Sequence, residues 1–322
     1  MVQRPESPPP LWGRVRVGDE SPAMNDSIQS VAVIGLGIMG GAIARHLVAA
    51  GFAVSGYDVA PEPMQRLSAN GGRAAAAAHD AAKDVALVLT SLPSEKALET
   101  TVDALLASPR RGLILAELST LPLAVKERAR ARLAEAGIVM LDCPLSGTGA
   151  QAERRDVVVY ASGDKAAFER CRAVFAGFAR AREYLGAFGN GMRMKLVANL
   201  LVAVHNVASA EALVLGMKAG LDPAQVARVI AAGAGTSRVF ELRTPLMVAD
   251  NYVPPTMKVE IWQKDMAIIA EFAASLGVET PTFSATAPVY DAALAAGRGG
   301  EDTAAVCAVL EERAGLARAK RS

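Results

Sequence analysis

The sequence predicts an α/β Rossmann-type N-terminal domain followed by an all-α C-terminal domain that opens on a long helix. Three observations carry this. A strand, a glycine loop and a helix follow one another in "VAVIGLGIMGGAIARHL", Val31 to Leu47. Short apolar runs alternate with stretches of helical length to about residue 185, the pattern of βαβ units and a mainly parallel sheet. After Gly191 the strand patterns stop and helical ones continue to about Ala317. At 322 residues the chain has room for two domains. The division expected is 1–29 as a disordered tail, 30–188 as the Rossmann domain and 189–322 as the helical domain.

Taken in order, the tail "MVQRPESPPPLWGRVRVGDESPAMNDS" is rich in proline and charge and lacks the apolar core of a secretory signal. Met24, close before the first strand, reads as an alternative start. The strands expected are Ser30–Ile34, Ala53–Tyr57, Val85–Leu89, Leu113–Glu117, Val139–Asp142 and Val157–Ala161. Met192 to Lys218 reads as one long helix. Leu221-Asp222-Pro223 opens another by its Asp cap and proline, and Val253-Pro254-Pro255 marks a loop before a third.

Composition narrows the class. Hydrophobic residues make up 52% and charged residues 21%, which describes a well-packed globular chain. A net charge of +1 without a basic stripe argues against nucleic acid as a partner. No unbroken apolar run reaches the ~18 residues of a membrane span. Cys143, Cys171 and Cys307 are scattered, which suits a reducing cytoplasm and neither a disulfide framework nor a thiolate metal site.

The glycine loop points to a dinucleotide. Gly35 allows the tight turn, Gly37 lets the backbone approach a pyrophosphate, and Gly40 lets helix and strand pack closely. Leu36, Ile38 and Met39 fill the same loop, and the helix N-terminus offers free N–H groups to an anion. Asp58 ends the second strand, 18 residues past Gly40. A carboxylate there accepts hydrogen bonds from ribose hydroxyls and repels a 2′-phosphate. Val59-Ala60 supplies no arginine, so NAD is expected in preference to NADP. A plain polar strand end is the alternative for Asp58.

A second group of signals lies further on. "LDCPLSGTGA" places Ser146, Gly147 and Thr148 after a strand, where backbone N–H groups and two hydroxyls suit a carboxylate. An ordinary hydrophilic turn reads equally well. In "GNGMRMKLVANLLVAVHNVASAEAL", at about 100° per residue, Lys195, Asn199, Asn206 and Ser209 fall near one face of an otherwise apolar helix. Burying an unpaired ammonium lowers its pKa, the property a general acid or base needs near neutrality. A structural ion pair for Lys195 stays open on periodicity alone. The three histidines, His46, His79 and His205, are dispersed, and neither an HExxH nor a triad spacing occurs, so no metal site is expected.

Together these pieces resemble the β-hydroxyacid dehydrogenase family, whose members include 3-hydroxyisobutyrate dehydrogenase, tartronate semialdehyde reductase and, more distantly, 6-phosphogluconate dehydrogenase. The resemblance runs from about Val31 to Val306 through "GLGIMG", "SLPS", "ELSTLP", "DCPLSGTGA", "GNGMRMKLVANLL", "WQKDM" and "GRGGEDTAAV", in the family's order. It implies that 30–188 binds NAD and that 189–322 carries substrate-binding and dimerisation roles. It implies Lys195 as the catalytic lysine on a long interdomain helix that joins the two domains, Asn199 as the residue that positions substrate, and Ser146, Gly147 and Thr148 as the carboxylate-binding turn. Leu92 and Pro93 then line the cofactor, Thr120 lies near the nicotinamide and Lys264 reaches into the closed site. The implied protein is a cytoplasmic homodimer or homotetramer that interconverts a small 3-hydroxy acid and its semialdehyde or 3-oxo acid. A semialdehyde reductase such as 2-hydroxy-3-oxopropionate reductase, or a non-catalytic cofactor-binding scaffold, are the alternatives. Imine reductases share the fold but typically lack a lysine at the Lys195 position.

The departures from the family pattern are specific. Thr148 stands where a second glycine is usual, which narrows or re-polarises the pocket. Arg154 and Arg155 replace a stretch that usually holds a glycine and would read a second anionic group only if turned inward; a solvated surface is the alternative for both. The proline of "STLPLA" comes one residue early, and Cys143 reads as packing.

Overall fold

The structure, a computed structural model, describes residues 28–316 and Arg318. Most of the expected tail, with Met24, lies outside the described residues. Its last two positions correct the boundary: Ile28 is buried in the core, and the Gln29 carbonyl accepts from the Ala53 N–H at 2.9 Å.

The N-terminal region runs β1 (Ser30–Ile34), α1 (Ile38–Ala49), β2 (Ala53–Tyr57), α2 (Pro61–Ala69), β3 (Arg73–Ala74), α3 (Ala78–Ala81), β4 (Leu87–Thr90), α4 (Glu95–Leu106), β5 (Ile114–Glu117), α5 (Leu123–Glu135) and β6 (Val139–Asp142). Its strands form a six-stranded sheet in the order β3-β2-β1-β4-β5-β6, every pair parallel. Alternation decides which side chains go where. Val31 and Val33 pack on one face with α1, while Ala32 and Ile34 join the core under α4 and α5 on the other. The strand order reverses between β1 and β4, which opens a crevice at their carboxyl ends. The Gly35 loop and Ser91-Leu92 both emerge there.

Three strands match the expected bounds residue for residue, and β4 and β5 begin one or two residues late. The sheet assignment of the last expected strand needs correction. β8 (Val158–Ala161) lies outside the main sheet, paired with β7 (Leu145–Ser146) antiparallel and β9 (Ala181–Tyr184) parallel. β3 and β7 span two residues each, too short for any periodicity to show. α6 (Gly149–Glu153) and α7 (Lys165–Phe178) complete this part, and α7 packs on α1.

From Asn190 the described chain is helical: α8 (Asn190–Lys218), α9 (Pro223–Ala231), α10 (Arg238–Ala249), α11 (Val259–Ser275), α12 (Pro281–Ala295), a 3₁₀ turn at Thr303–Ala305 and α13 (Val306–Arg313). The 29-residue α8 is the spine that α9 to α13 all contact. Among the described residues it is also the one helix long and apolar enough to cross a membrane. Its buried face carries Lys195, Asn199, Asn206 and Ser209, and it serves as the core of the helical bundle. A second tie holds the bundle: Arg243 Nη1 donates to both oxygens of the fully buried Asp302 at 2.7 and 2.8 Å.

A buried ion triad joins the two regions. Lys126 Nζ of α5 lies 2.6 Å from Glu117 Oε2 and 2.7 Å from Asp142 Oδ1, and none of the three side chains is exposed. Burial by itself lowers the lysine pKa, but the Asp142 and Glu117 carboxylates outweigh it and hold the ammonium well above its ordinary value. Each carboxylate has a second task. Asp142 Oδ2 accepts from the Met192 N–H of α8 at 2.7 Å, and Glu117 Oε1 from the Ser119 N–H at 2.8 Å. Ser119 Oγ in turn accepts from the Leu92 N–H at 2.7 Å. Gly191 must be glycine for this approach, because a Cβ there would fall 2.3 Å from the Tyr160 carbonyl oxygen. Replacing Lys126 by Met would strand two carboxylates in a dry site. Urea unfolding of Lys126→Met is expected to show a loss of about 3–5 kcal/mol, and a loss near zero would contradict the burial described.

Candidate active site

The crevice begins with the glycine loop. Gly35 sits at φ +85°, and a Cβ on it would lie 2.2 Å from the Ser91 carbonyl oxygen. A Cβ on Gly40 would lie 1.8 Å from the Gly35 carbonyl oxygen. Both glycines are required by packing. Gly37 differs: it is the N-cap of α1, without a side-chain cap, and nothing lies within 4 Å of where its Cβ would be. The loop thus offers open space in front of uncapped helix N–H groups, with Ile38 exposed, and these residues fit a dinucleotide pyrophosphate. Asp58 is more than a polar strand end. Its Oδ2 accepts from the Leu36 N–H at 2.7 Å and its Oδ1 from the Ala60 N–H at 2.9 Å, which holds the carboxylate against the loop.

Two chambers meet behind the loop. In the one beside the glycine loop, of about 250 Å³, Ile38, Met39, Leu92, Thr120 and Lys264 come together with Gly147, Thr148 and Lys195. Lys264 Nζ donates to the Thr120 carbonyl at 2.7 Å, a direct link from α11 to the β5–α5 loop. Pro93 is exposed and off this wall. The second chamber, of about 200 Å³, is shaped by Ser146, Gly147, Thr148, Lys195 and Asn199 on one side. Residues of α10, α11 and α12 close it on the other. Lys195, Gly147, Thr148 and Met257 belong to both chambers.

Lys195 is buried, and among the described residues no carboxylate lies within ion-pair distance of it. The structural ion pair that periodicity left open is therefore not formed. Burial lowers its pKa, the nearby Asp265 carboxylate partly restores it, and Lys264 lowers it again; the net direction is downward from 10.5. Asp265 is itself occupied: its Oδ2 accepts from Asn199 Nδ2 at 3.0 Å, and its Oδ1 lies 3.5 Å from Lys264 Nζ. Burial raises the Asp265 carboxyl pKa, against the pull of both lysines. Asp265 was missed by sequence reasoning, although it follows Lys264 directly. So were Glu117, Lys126 and Asp142, which only the fold brings together.

Several expectations change on contact with the geometry. Ser146 belongs to the short strand β7, and Thr148 is the N-cap of α6. The Thr148 N–H donates to Gln151 Oε1 at 3.0 Å, so the run of free amides expected there is partly used. Ser146 and Thr148 both line the second chamber. Asn206 is off the site: its Nδ2 donates to Tyr290 Oη and to the Thr303 carbonyl, both at 2.9 Å. Ser209 donates to the His205 carbonyl of its own helix. Arg154 and Arg155 are exposed and line neither chamber, and Arg155 Nη2 donates to the Ala176 carbonyl at 2.7 Å. Cys143, Cys171 and Cys307 are buried free thiols. No grouping of His, Cys, Asp and Glu among the described residues could hold a metal ion.

Comparison with known proteins agrees with this architecture. Residues 30–186 match the model of the NAD binding domain of 6-phosphogluconate dehydrogenase. Residues 189–310 match that of the NAD-binding region of NADP-dependent 3-hydroxyisobutyrate dehydrogenase. The L-threonate dehydrogenase of Cupriavidus necator is 33% identical over 88% of this chain and 96% of its own. The chain belongs to the β-hydroxyacid dehydrogenase family. Within the family, 2-(hydroxymethyl)glutarate dehydrogenase of Eubacterium barkeri is 27% identical over 91% of this chain and 98% of its own. The crystal structure of 3-hydroxyisobutyrate dehydrogenase from Salmonella typhimurium superposes with a TM-score of 0.79 at 31% identity, covering 87% of this chain and 99% of that one.

The two kinds of glycine give a matched test. Gly40→Ala should lower the melting temperature by several degrees, since about 1 kcal/mol moves it ~2–4 °C in a chain of this size. Gly37→Ala has room for its methyl group and should melt near the wild type while weakening NADH binding. Differential scanning fluorimetry and NADH fluorescence titration of both variants check this.

Proposed function

We propose that this chain oxidises and re-forms a small 3-hydroxy acid, with Lys195 as the general acid–base and NAD as the preferred nicotinamide cofactor. The observation that carries the reading is Lys195: buried, without an ion pair, and on the wall common to both chambers. When bound along Gly35 to Gly40, with Leu92, Thr120 and Lys264 at its reactive end, the nicotinamide supplies two-electron oxidation or reduction. The protein residues do the rest. The Ser146 and Thr148 hydroxyls bind the substrate carboxylate. Asn199 commits one Nδ2 proton to Asp265 and keeps the second to donate to the substrate oxygen. Neutral Lys195 takes the hydroxyl proton in oxidation, and its ammonium returns a proton to the carbonyl oxygen in reduction. The relatives named for L-threonate, 3-hydroxyisobutyrate and 2-(hydroxymethyl)glutarate support a 3-hydroxy acid as the substrate class.

Asp58 supports NAD, because a carboxylate held beside the loop repels a 2′-phosphate and residues 59–60 offer no arginine. The ratio of kcat/KM with NAD to that with NADP tests it. We assign cofactor binding to residues 30–188 and substrate binding and assembly to 189–322. Met194, Val197, Leu201 and Leu215 support a homodimer or homotetramer. All four are exposed and fall on one side of α8 at about 100° per residue, roughly opposite Lys195 and Asn199. Light scattering of the wild type and Leu201→Glu tests it, the variant being expected to dissociate. Buried free thiols fit a cytoplasmic setting.

Lys195→Ala should lose about 10²–10⁴-fold in kcat with NADH binding retained. The lowered pKa sets the sign of the pH dependence. Oxidation needs the neutral amine, so its kcat/KM should rise with pH through an ionisation below 10.5, and reduction should fall through the same one. Asp265→Asn removes a charge that raises the lysine pKa, so this midpoint should move to lower pH. Identical profiles for wild type and Lys195→Ala would end the assignment.

A further inference from the structure

The second chamber holds a cation that the reaction does not use. Three cationic side chains line it: Lys195, Arg243 and Arg238. Lys195 is the proposed acid–base. Arg243 has its charge already paired, its Nη1 held by both oxygens of Asp302 and by Thr256 Oγ1 in a buried cluster. Arg238, the first residue of α10, is different. Its side chain is 64% exposed, and Nη1 donates to Glu241 at 3.1 Å and Nη2 to Asp156 at 3.2 Å. Both contacts sit at the long end of the hydrogen-bond range, and the guanidinium fork has five N–H groups.

Its partner can release it at little cost. Asp156 also accepts from Arg180 Nε at 2.9 Å and from Gln151 Nε2 at 3.3 Å, so it stays paired when Arg238 turns away. The Glu241 contact is an exposed pair three residues along the same helix, worth a few tenths of a kcal/mol. Arg238 lines this chamber and is absent from the one beside the glycine loop. A substrate with its carboxylate on Ser146 and Thr148 and its hydroxyl at Lys195 therefore shares its chamber with Arg238.

We propose that Arg238 is a specificity residue that binds a second carboxylate, making the preferred substrate a 3-hydroxy acid with an anionic tail. This rests on the reading of the chamber as the substrate site. A guanidinium pairs with a planar carboxylate through two parallel N–H groups, geometry that a neutral tail cannot use. The sequence suggested Arg154 or Arg155 for such a task, and the fold supplies a different arginine, 83 positions beyond Arg155.

Three acids share one reacting CH₂OH beside a carboxylate and differ only in the branch: 3-hydroxyisobutyrate (methyl), 2-(hydroxymethyl)pentanoate (propyl) and 2-(hydroxymethyl)glutarate (carboxyethyl). With wild type the diacid should exceed the propyl acid in kcat/KM by about 10–100-fold, mainly through KM. Arg238→Gln should collapse that ratio, and Arg238→Lys should keep part of it. A companion calorimetric titration compares glutarate with pentanoate without turnover, glutarate being the tighter by about tenfold in wild type alone. Equal use of diacid and propyl acid by wild type, or an equal loss for both in Arg238→Gln, would overturn the proposal. If the monoacids turn over and neither assay favours the diacid, only the Arg238 assignment falls. If no hydroxy acid turns over while glutarate still binds through Arg238, the carboxylate site stands and the dehydrogenase reading falls.

Discussion

A lysine with no exposed surface, pressed between two carboxylates, is the contact on which the arrangement of this site depends. Lys126 lets Glu117 and Asp142 remain charged in the interior, and each carboxylate spends its other oxygen on backbone. One sets the loop after β5, and through Ser119 it also sets Leu92 on the loop after β4. The other holds the first turn of the helix that carries Lys195. Isolated buried charges are costly and their pairing is seldom a net gain in stability. The return here is geometric: one buried charge cluster keeps the β4 and β5 loops and the start of α8 in fixed register.

The helix α8 then works on two sides. Its buried side presents Lys195 and Asn199 to the chambers and, two turns further on, uses Asn206 to tie down Tyr290 and the 3₁₀ turn. Its opposite side exposes apolar residues at helical spacing. The same rigid element can therefore carry both the proposed acid–base and the surface proposed for a second subunit, and Asp265, brought by α11, sets the electrostatics of the lysine from across the bundle.

Much of this was legible in the chain. Short apolar runs located the strands of the main sheet longer than two residues, since strands of a parallel sheet covered on both faces read as near-continuous hydrophobic stretches. The glycine loop was legible because Gly35 and Gly40 meet backbone at distances no Cβ allows, a constraint local to some 50 residues. Lys195 and Asn199 stood out because an apolar helix seldom carries a lysine on its buried face. Less was visible in β3, β7 and β9, two of them only two residues long, and in Thr148, whose N–H is taken by Gln151. The polar face of α8 misled at Asn206 and Ser209: periodicity places residues on one side of a helix but cannot say what stands opposite each turn.

By itself, then, the sequence determined the order of the longer strands, the glycine loop and the identity of the buried lysine, because each rests on contacts between near neighbours or on a repeat along one element. Only the tertiary structure decided what surrounds that lysine. Asp265 lies 70 residues from it, Lys126 and Asp142 are 16 apart on different elements, and Arg238 approaches Asp156 across 82 positions. Charges so distant along the chain meet only when helices and sheet are packed, and no periodicity records which of them will face one another.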